Sequence, residues 1–254
     1  MTNQALVTVN PEEFVLANAE TTQNMLDAVR AMPGGFNGLM QYRIKIPAGG
    51  GKVFTIESLD GEQHLAKIPA IILTAWANQR AWNRHSLDES GGGAPDCAST
   101  NGVQGFGNRS ESDTDEEPSW ADCATCKWGQ FGSGKGSSKA CRDSSVLWIM
   151  RPECGLPQAL NVPATSLKVL KDYQLKLLMA RTEPFRVLTQ IGLEQAESAS
   201  GIKYSRLTLQ RIGVVPPEMH AQAFEVATAL KAALAERRPF VAGMRRDTSF
   251  DMND

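Results

Sequence analysis

Four of the five cysteines, Cys97, Cys123, Cys126 and Cys141, fall in a part of the chain that apolar burial alone could not fold. Residues 86–119 read SLDESGGGAPDCASTNGVQGFGNRSESDTDEEPS, rich in Gly, Ser and Asp and nearly bare of large apolar side chains. Such a segment cannot bury enough surface to offset the entropy of ordering it. Cys123-Ala-Thr-Cys126 has the spacing at which two thiolates share one ion, with Cys97 ahead of it and Cys141 behind. Four thiolates around one ion make a closed tetrahedral zinc site, structural because no position is left for water. Binding then supplies the missing folding energy. An odd number of cysteines argues against a disulfide framework. Cys154 competes with Cys97 for the fourth position; Cys97 is favoured because its turn-rich loop can reach a metal, whereas Cys154 follows a strand and Pro152. Free or buried thiols without metal are the alternative.

Between the ligand pairs stands Gly129-Gln-Phe-Gly-Ser-Gly-Lys-Gly136, one residue short of the phosphate-binding G-x-x-x-x-G-K-[ST] loop. That loop needs a buried strand before it, a helix after it and Ser or Thr at its last position. Here Gly136 stands at that position and the flanks are polar, so the glycines are read as the connection between metal ligands. A thioredoxin-like role is disfavoured because the C-x-x-C does not open a helix. A zinc deaminase needs H-x-E, and none of His64, His85 and His220 begins one. No catalytic dyad is evident, and the chain is expected not to be an enzyme.

Elsewhere the patterning is that of a globular fold. A helix is expected from Thr21 to Met32, ended by Pro33-Gly34-Gly35. Alternation over 38–46 predicts a strand, Lys52–Glu57 a second, and Lys67–Arg84 one long strand. Val146–Met150 reads as a further strand. Ser166–Arg181 has helical spacing with Ser166 as its N-cap. Arg186–Leu193 and Tyr204–Ile212 form a hairpin through the Glu197–Lys203 connection, and Pro216-Pro217 opens a last helix to about Arg237. The order lacks βαβ alternation. It predicts an α+β fold with a mainly antiparallel sheet, curved or closed, carrying an inserted zinc-binding loop module and flanking helices. The expected organisation is an N-terminal extension over 1–37, a main domain over 38–243 with the insertion at about 86–145, and a flexible acidic tail over 244–254.

The net charge of −2 advertises no nucleic acid globally, but the charge is segregated. Trp120–Arg151 holds five bases (Lys127, Lys135, Lys139, Arg142, Arg151) against two acids, together with Trp120, Trp128, Phe131 and Trp148. Thr165–Val215 holds eight bases against four acids. Single-strand binding needs cations beside aromatic faces. Strand alternation puts Tyr204 with Arg206, Arg43 with Lys45 beside Tyr42, and Trp76, Arg80 and Trp82 on one face of the long strand. The candidate nucleic-acid residues are therefore Tyr42, Arg43, Lys45, Trp76, Arg80, Trp82, Lys127, Lys135, Lys139, Arg142, Tyr204 and Arg206. The bland reading is that Trp128 and Trp148 pack over the metal, the bases form a solvated face and the tyrosines belong to the core.

The series Arg80-Ala-Trp82, P-D-C-A-S-T-N-G (95–102), C-A-T-C-K-W-G-Q-F-G-S (123–133) and G-K-G-S-S-K-A-C (134–141), followed by an apolar strand, resembles a group of phage and prophage proteins. These carry a four-cysteine zinc insertion in an oligonucleotide-binding (OB)-like domain and are regarded as single-stranded DNA-binding, replication-associated proteins. The resemblance covers roughly residues 66–215. It implies an OB-like barrel, Cys97, Cys123, Cys126 and Cys141 as ligands of a structural Zn2+, and single-stranded DNA as partner in replication or recombination. The acidic run 110–117 and Asp143-Ser-Ser145 depart from the group's pattern.

The tail Asp247–Asp254, with three aspartates around Phe250, resembles loosely the acidic tails by which single-strand-binding proteins recruit replication or recombination partners; a solvated terminus explains it equally well. No run approaches a membrane span and the N-terminus lacks a secretory signal, so the expected compartment is the cytoplasm, that of the host if phage-encoded. A homo-oligomer stays open. The alternative function is a protein-interaction or host-takeover factor using the zinc element as its recognition surface.

Overall fold

The computed structural model describes residues 7–8, 10–58, 61–75, 79–85, 94–111, 117–152, 154–198, 201–235, 239 and 241. The chain divides into two compact units, one formed by Met1–Trp76 and Ser144–Arg237, the other by Ala77–Asp143 with Arg238–Asp254.

The first unit is built on β1 (Val7–Thr8), β4 (Lys67–Ala75), β9 (Arg142–Met150, from Ser144 on), β10 (Gln158–Pro163), β11 (Val187–Glu197) and β12 (Lys203–Val214). Their order is β1-β12-β11-β4-β9-β10, antiparallel except for the β1–β12 pair. The fold is thus α+β with a mostly antiparallel sheet, and that sheet is open rather than closed into a barrel.

Alternation sorts its side chains onto two cores. On one face Ile71 and Leu73 of β4 and Val146, Trp148 and Met150 of β9 pack with α1 (Ala19–Ala31) and α4 (His220–Ala235). On the other, Ile68, Ala70 and Ile72 with Leu147 and Ile149 meet α3 (Ala164–Met179) and the hairpin of β2 (Phe54–Ser58) and β3 (Gly61–Leu65). A sheet covered on both faces needs strands apolar at every position, which is why IPAIIL and VLWIM do not alternate. Residues 10–37 also serve this core: Phe14, Leu16, Met25, Leu26 and Val29 are buried in it.

Several expectations shift. The strand expected over 38–46 is instead a short helix α2 (Gly35–Gly38) and a 3-10 turn (Leu39–Tyr42). Gly34 and Gly35 have φ of +76° and +49°, and the Gly38 amide closes back on the Gly34 carbonyl, so the chain coils where alternation suggested extension. Only Ile44 and Lys45 make strand-like bridges, to Leu160 and Thr55. The helix expected at Ser166 begins at Ala164 after Pro163. Ser166 is not its cap; its buried hydroxyl accepts from the Leu207 amide at 3.0 Å. α1 is capped by Asn18, whose side chain accepts from the Thr21 amide. The long strand over 67–84 is resolved into β4 and β5 (Gln79–Trp82), with Trp76 outside the described residues.

Candidate functional site

The second unit is a small antiparallel sheet in the order β5-β6-β7-β8, with β6 at Cys97–Ser99, β7 at Gln104–Gly107 and β8 at Ser119–Asp122. Its turns are made by polar side chains rather than by a core. Asn101 Oδ1 accepts from the amides of Val103 and Gln104, and Gly102 takes φ +73°. Trp82 lies opposite Cys97, and Cys97 opposite Gly107. Gly107 has φ +148°, and a Cβ there would stand 2.1 Å from the Asp96 carbonyl oxygen, so only glycine permits this approach.

Cys123 leaves β8 with its amide bonded to the Val103 carbonyl. The Cys123–Cys126 turn is held by Asp122, whose Oδ1 accepts from the Ala124 amide at 2.7 Å. A 3-10 turn (Lys127–Gly129) follows, and the Cys141 amide returns to the Trp128 carbonyl. The glycine-rich loop between them is folded on itself. Gly132 and Gly134 donate to the Ser138 carbonyl, and Ser133 Oγ accepts from the Ala140 amide. Strand β9 follows in place of a helix, and the Gly132 and Gly134 amides are spent inside the loop, so it lacks the strand–loop–helix context of a phosphate cradle.

This path brings Cys97, Cys123, Cys126 and Cys141 onto the wall of one cavity of about 20 Å³. A volume of that order holds one water-sized occupant. A Cβ on Gly105 would stand 3.2 Å from Cys97 Sγ and 3.4 Å from Cys123 Sγ, so the glycine keeps the space between the sulfurs open. All four thiols are free. Burial pushes the Cys141 thiol up to about 12, with its three neighbours adding to the rise and Arg80 opposing it. Burial raises Cys97 as well, opposed by a hydrogen bond and the charge of Arg109. Among the described residues no three His, Cys, Asp or Glu side chains close on a common point as a ready ion cage. The four sulfurs line one cavity. Donor type, number and cavity size nevertheless fit a single thiophilic ion. Cys154 stands elsewhere, beside Phe14 and Val15 in the first unit, and does not line this cavity.

Aromatic and cationic side chains complete the wall. Trp82 and Trp128 stack with centroids 4.7 Å apart, and Trp128 Nε1 donates to the Arg109 carbonyl. Trp82 is 3% exposed, so it faces its partner ring and not solvent. Trp148 is buried in the first unit's core and not over the thiols. Arg80 pairs with Asp143 and donates to the Cys123 carbonyl; it too lines the cavity. Lys139 pairs with Asp143, and Lys127 pairs with Glu111 while lying over the Trp128 ring. Lys135 and Arg142 are exposed. Among the described residues of this unit the exposed aromatics are Trp120 and Phe131, the latter under Lys139 Nζ. Most of the acidic run, residues 112–116, and the tail 244–254 lie outside the described residues.

A second site lies in the first unit. Arg43, Lys45 and Tyr204 line one cleft of about 480 Å³ with Asn161, Pro163 and Thr165. Lys45 is paired with Glu57 at 2.6 Å. Ser205 Oγ lies 2.8 Å from both the Pro47 and Gly51 carbonyls, tying the 47–51 turn to β12. Tyr42 is exposed beside Arg43, and Arg206 pairs with Glu194 across the hairpin. Sequence reasoning named Arg43, Lys45 and Tyr204 but not Asn161 or Thr165, which carry no charge or ring to mark them. It also passed over Arg109, Gly105 and Gly107; only the G-F-G spacing around Phe106 hinted at a close backbone approach.

Comparison of the chain with protein-family models, with curated proteins and with solved structures finds no match to any of the three.

Proposed function

We propose that the protein is a non-catalytic, zinc-stabilised single-stranded DNA-binding protein acting in phage or mobile-element replication or recombination. The observation that carries the nucleic-acid part is the cleft in which Arg43 and Lys45 stand with Tyr204. Cations for the phosphates beside a ring for a base are what sequence-tolerant strand binding requires. The zinc part rests on four free thiols around one small cavity in a unit with little apolar core of its own. Cys97, Cys123, Cys126 and Cys141 would hold the ion, which would cross-link β6, the C-x-x-C turn and the glycine-rich loop. The OB-like relationship belongs to this reading as well, resting on the resemblance of the cysteine block.

The test is fluorescence anisotropy with labelled oligo-dT across a salt series, alongside metal analysis of the purified protein. Binding is expected to weaken steeply with salt, as counterion release requires, and one zinc per chain is expected. Absence of binding tighter than millimolar at low salt overturns the DNA reading; a folded, metal-free protein overturns the zinc reading.

A second reading, a protein-recognition factor, draws on the exposure of Trp120 and Phe131 in the second unit, at 54% and 81%. Pull-down from host lysate with and without nuclease separates the two. Capture that survives nuclease favours the recognition factor, and capture lost with it favours DNA.

A further inference from the structure

Two arginines, Arg80 and Arg109, stand in the wall of the thiol cavity with the four cysteines. Arg109 is held at the strand edge opposite Cys97, whose register partner is Gly107. Three bonds fix it there: Nη1 to the Gly107 carbonyl at 3.1 Å, Nη1 to the Ser119 carbonyl at 2.8 Å, and Nη2 to Ser119 Oγ at 2.9 Å. Arg80 donates from Nη1 to the Cys123 carbonyl at 2.9 Å. Its Nε sits 3.1 Å from Asp143 Oδ1, and Asp143 is itself braced by Lys139 at 3.1 Å. Both guanidinium groups are thus oriented by the protein before any ion arrives.

A divalent ion with four thiolates carries a net charge of −2, and burying that charge is costly unless it is compensated. Arg80 is bonded to the backbone of the C-x-x-C turn and Arg109 to the strand opposite Cys97, so both guanidinium groups stand where that charge would form. We infer that Arg80 and Arg109 are the outer-shell positioning residues of the four-thiol centre, compensating its charge and holding the C-x-x-C turn and the strand of Cys97 in place for binding. This rests on the zinc reading and adds to it, and it reassigns Arg80 from a strand-binding surface to the metal.

The experiment uses the full chain. Wild type, Arg109→Gln, Arg109→Lys, Arg80→Gln and Lys135→Gln are loaded with Zn2+ and titrated with a competing chelator. Each is also loaded with Co2+ to read the thiolate-to-cobalt absorption band. The expectation is a loss of metal affinity of about 10- to 100-fold for Arg109→Gln and Arg80→Gln. Arg109→Lys should recover part of it, and the cobalt band should shift in both glutamine variants. Lys135→Gln removes the same charge from an exposed position and should change neither readout. Arg80 rests on the Cys123 carbonyl and Asp143 where Arg109 rests on Gly107 and Ser119, so Arg80→Gln tests the inference through different contacts if Arg109→Gln fails to fold. A wild type that binds one ion while both glutamine variants stay within about twofold of it, with unshifted bands, overturns the inference and leaves the zinc reading standing. A folded wild type that binds no ion overturns both.

Discussion

Trp82 and Trp128 lie face to face, 4.7 Å between centroids and 16° from parallel, although one sits on β5 and the other between Cys126 and Cys141. Their stack joins β5 to the turn that follows the C-x-x-C pair. Truncating a buried tryptophan costs about 3–5 kcal/mol. Trp82→Ala should therefore release the second unit selectively. Limited proteolysis should cut near the glycine-rich loop in the variant, while the first unit's thermal transition is preserved.

Gly105 offers a test that removes no ligand. A methyl group there would press on Cys97 Sγ and Cys123 Sγ at 3.2 and 3.4 Å. Gly105→Val should lower zinc stoichiometry toward that of Cys97→Ser. Metal analysis by mass spectrometry checks it; a fully loaded valine variant would show that the space between the sulfurs is not where the ion goes.

Strand binding has its own pair of variants. Tyr204→Ala should weaken oligo-dT binding by about 1–3 kcal/mol, the worth of one stacked base. Arg43→Gln should instead lower the slope of log affinity against log salt by about 0.7, one phosphate contact on a single strand. Anisotropy titrations at several salt concentrations distinguish the two effects.

The first unit contains a titrating hydroxyl in its second core. Tyr173 shares a 2.7 Å hydrogen bond with Thr189, and burial raises its pKa above the ordinary 10.0. A raised folded-state value means the native protein holds the proton more tightly than the unfolded chain. The associated stability is complete below pH 10 and is lost as pH climbs through the folded value. Urea midpoints of wild type should fall above pH 10 more steeply than those of Tyr173→Phe. At neutral pH that variant should be about 1–3 kcal/mol less stable, because the buried Thr189 hydroxyl loses its partner.

Strand β12 was legible in the sequence because one of its faces is buried and the other wetter over 204–208. Ser205 and Leu207 point inward where alternation put them, with Tyr204 and Arg206 opposite. The segment before it was misleading for a definable reason. Alternation over 40–46 is also what a coil produces when single residues anchor it, as Ile44 does here at 1% exposure. β6, β7 and β8 have no periodic signal, since three or four residues beside glycine leave nothing to alternate. At the thiol site the four cysteines could be read from spacing, whereas Arg109 and Gly105 acquire meaning only from the β6–β7–β8 register. The split of charges was legible too, but not its pairing: Lys45, Arg80, Lys127, Lys139 and Arg206 each meet a carboxylate, which leaves fewer bare cations than composition suggests.

Ser205 has one proton and two carbonyls, those of Pro47 and Gly51, at the same distance from it. Donation can alternate between them without the anchor letting go. The rim of the cleft is therefore tethered to β12 by a bond with two equivalent settings, and replacing that serine by alanine would cut both at once.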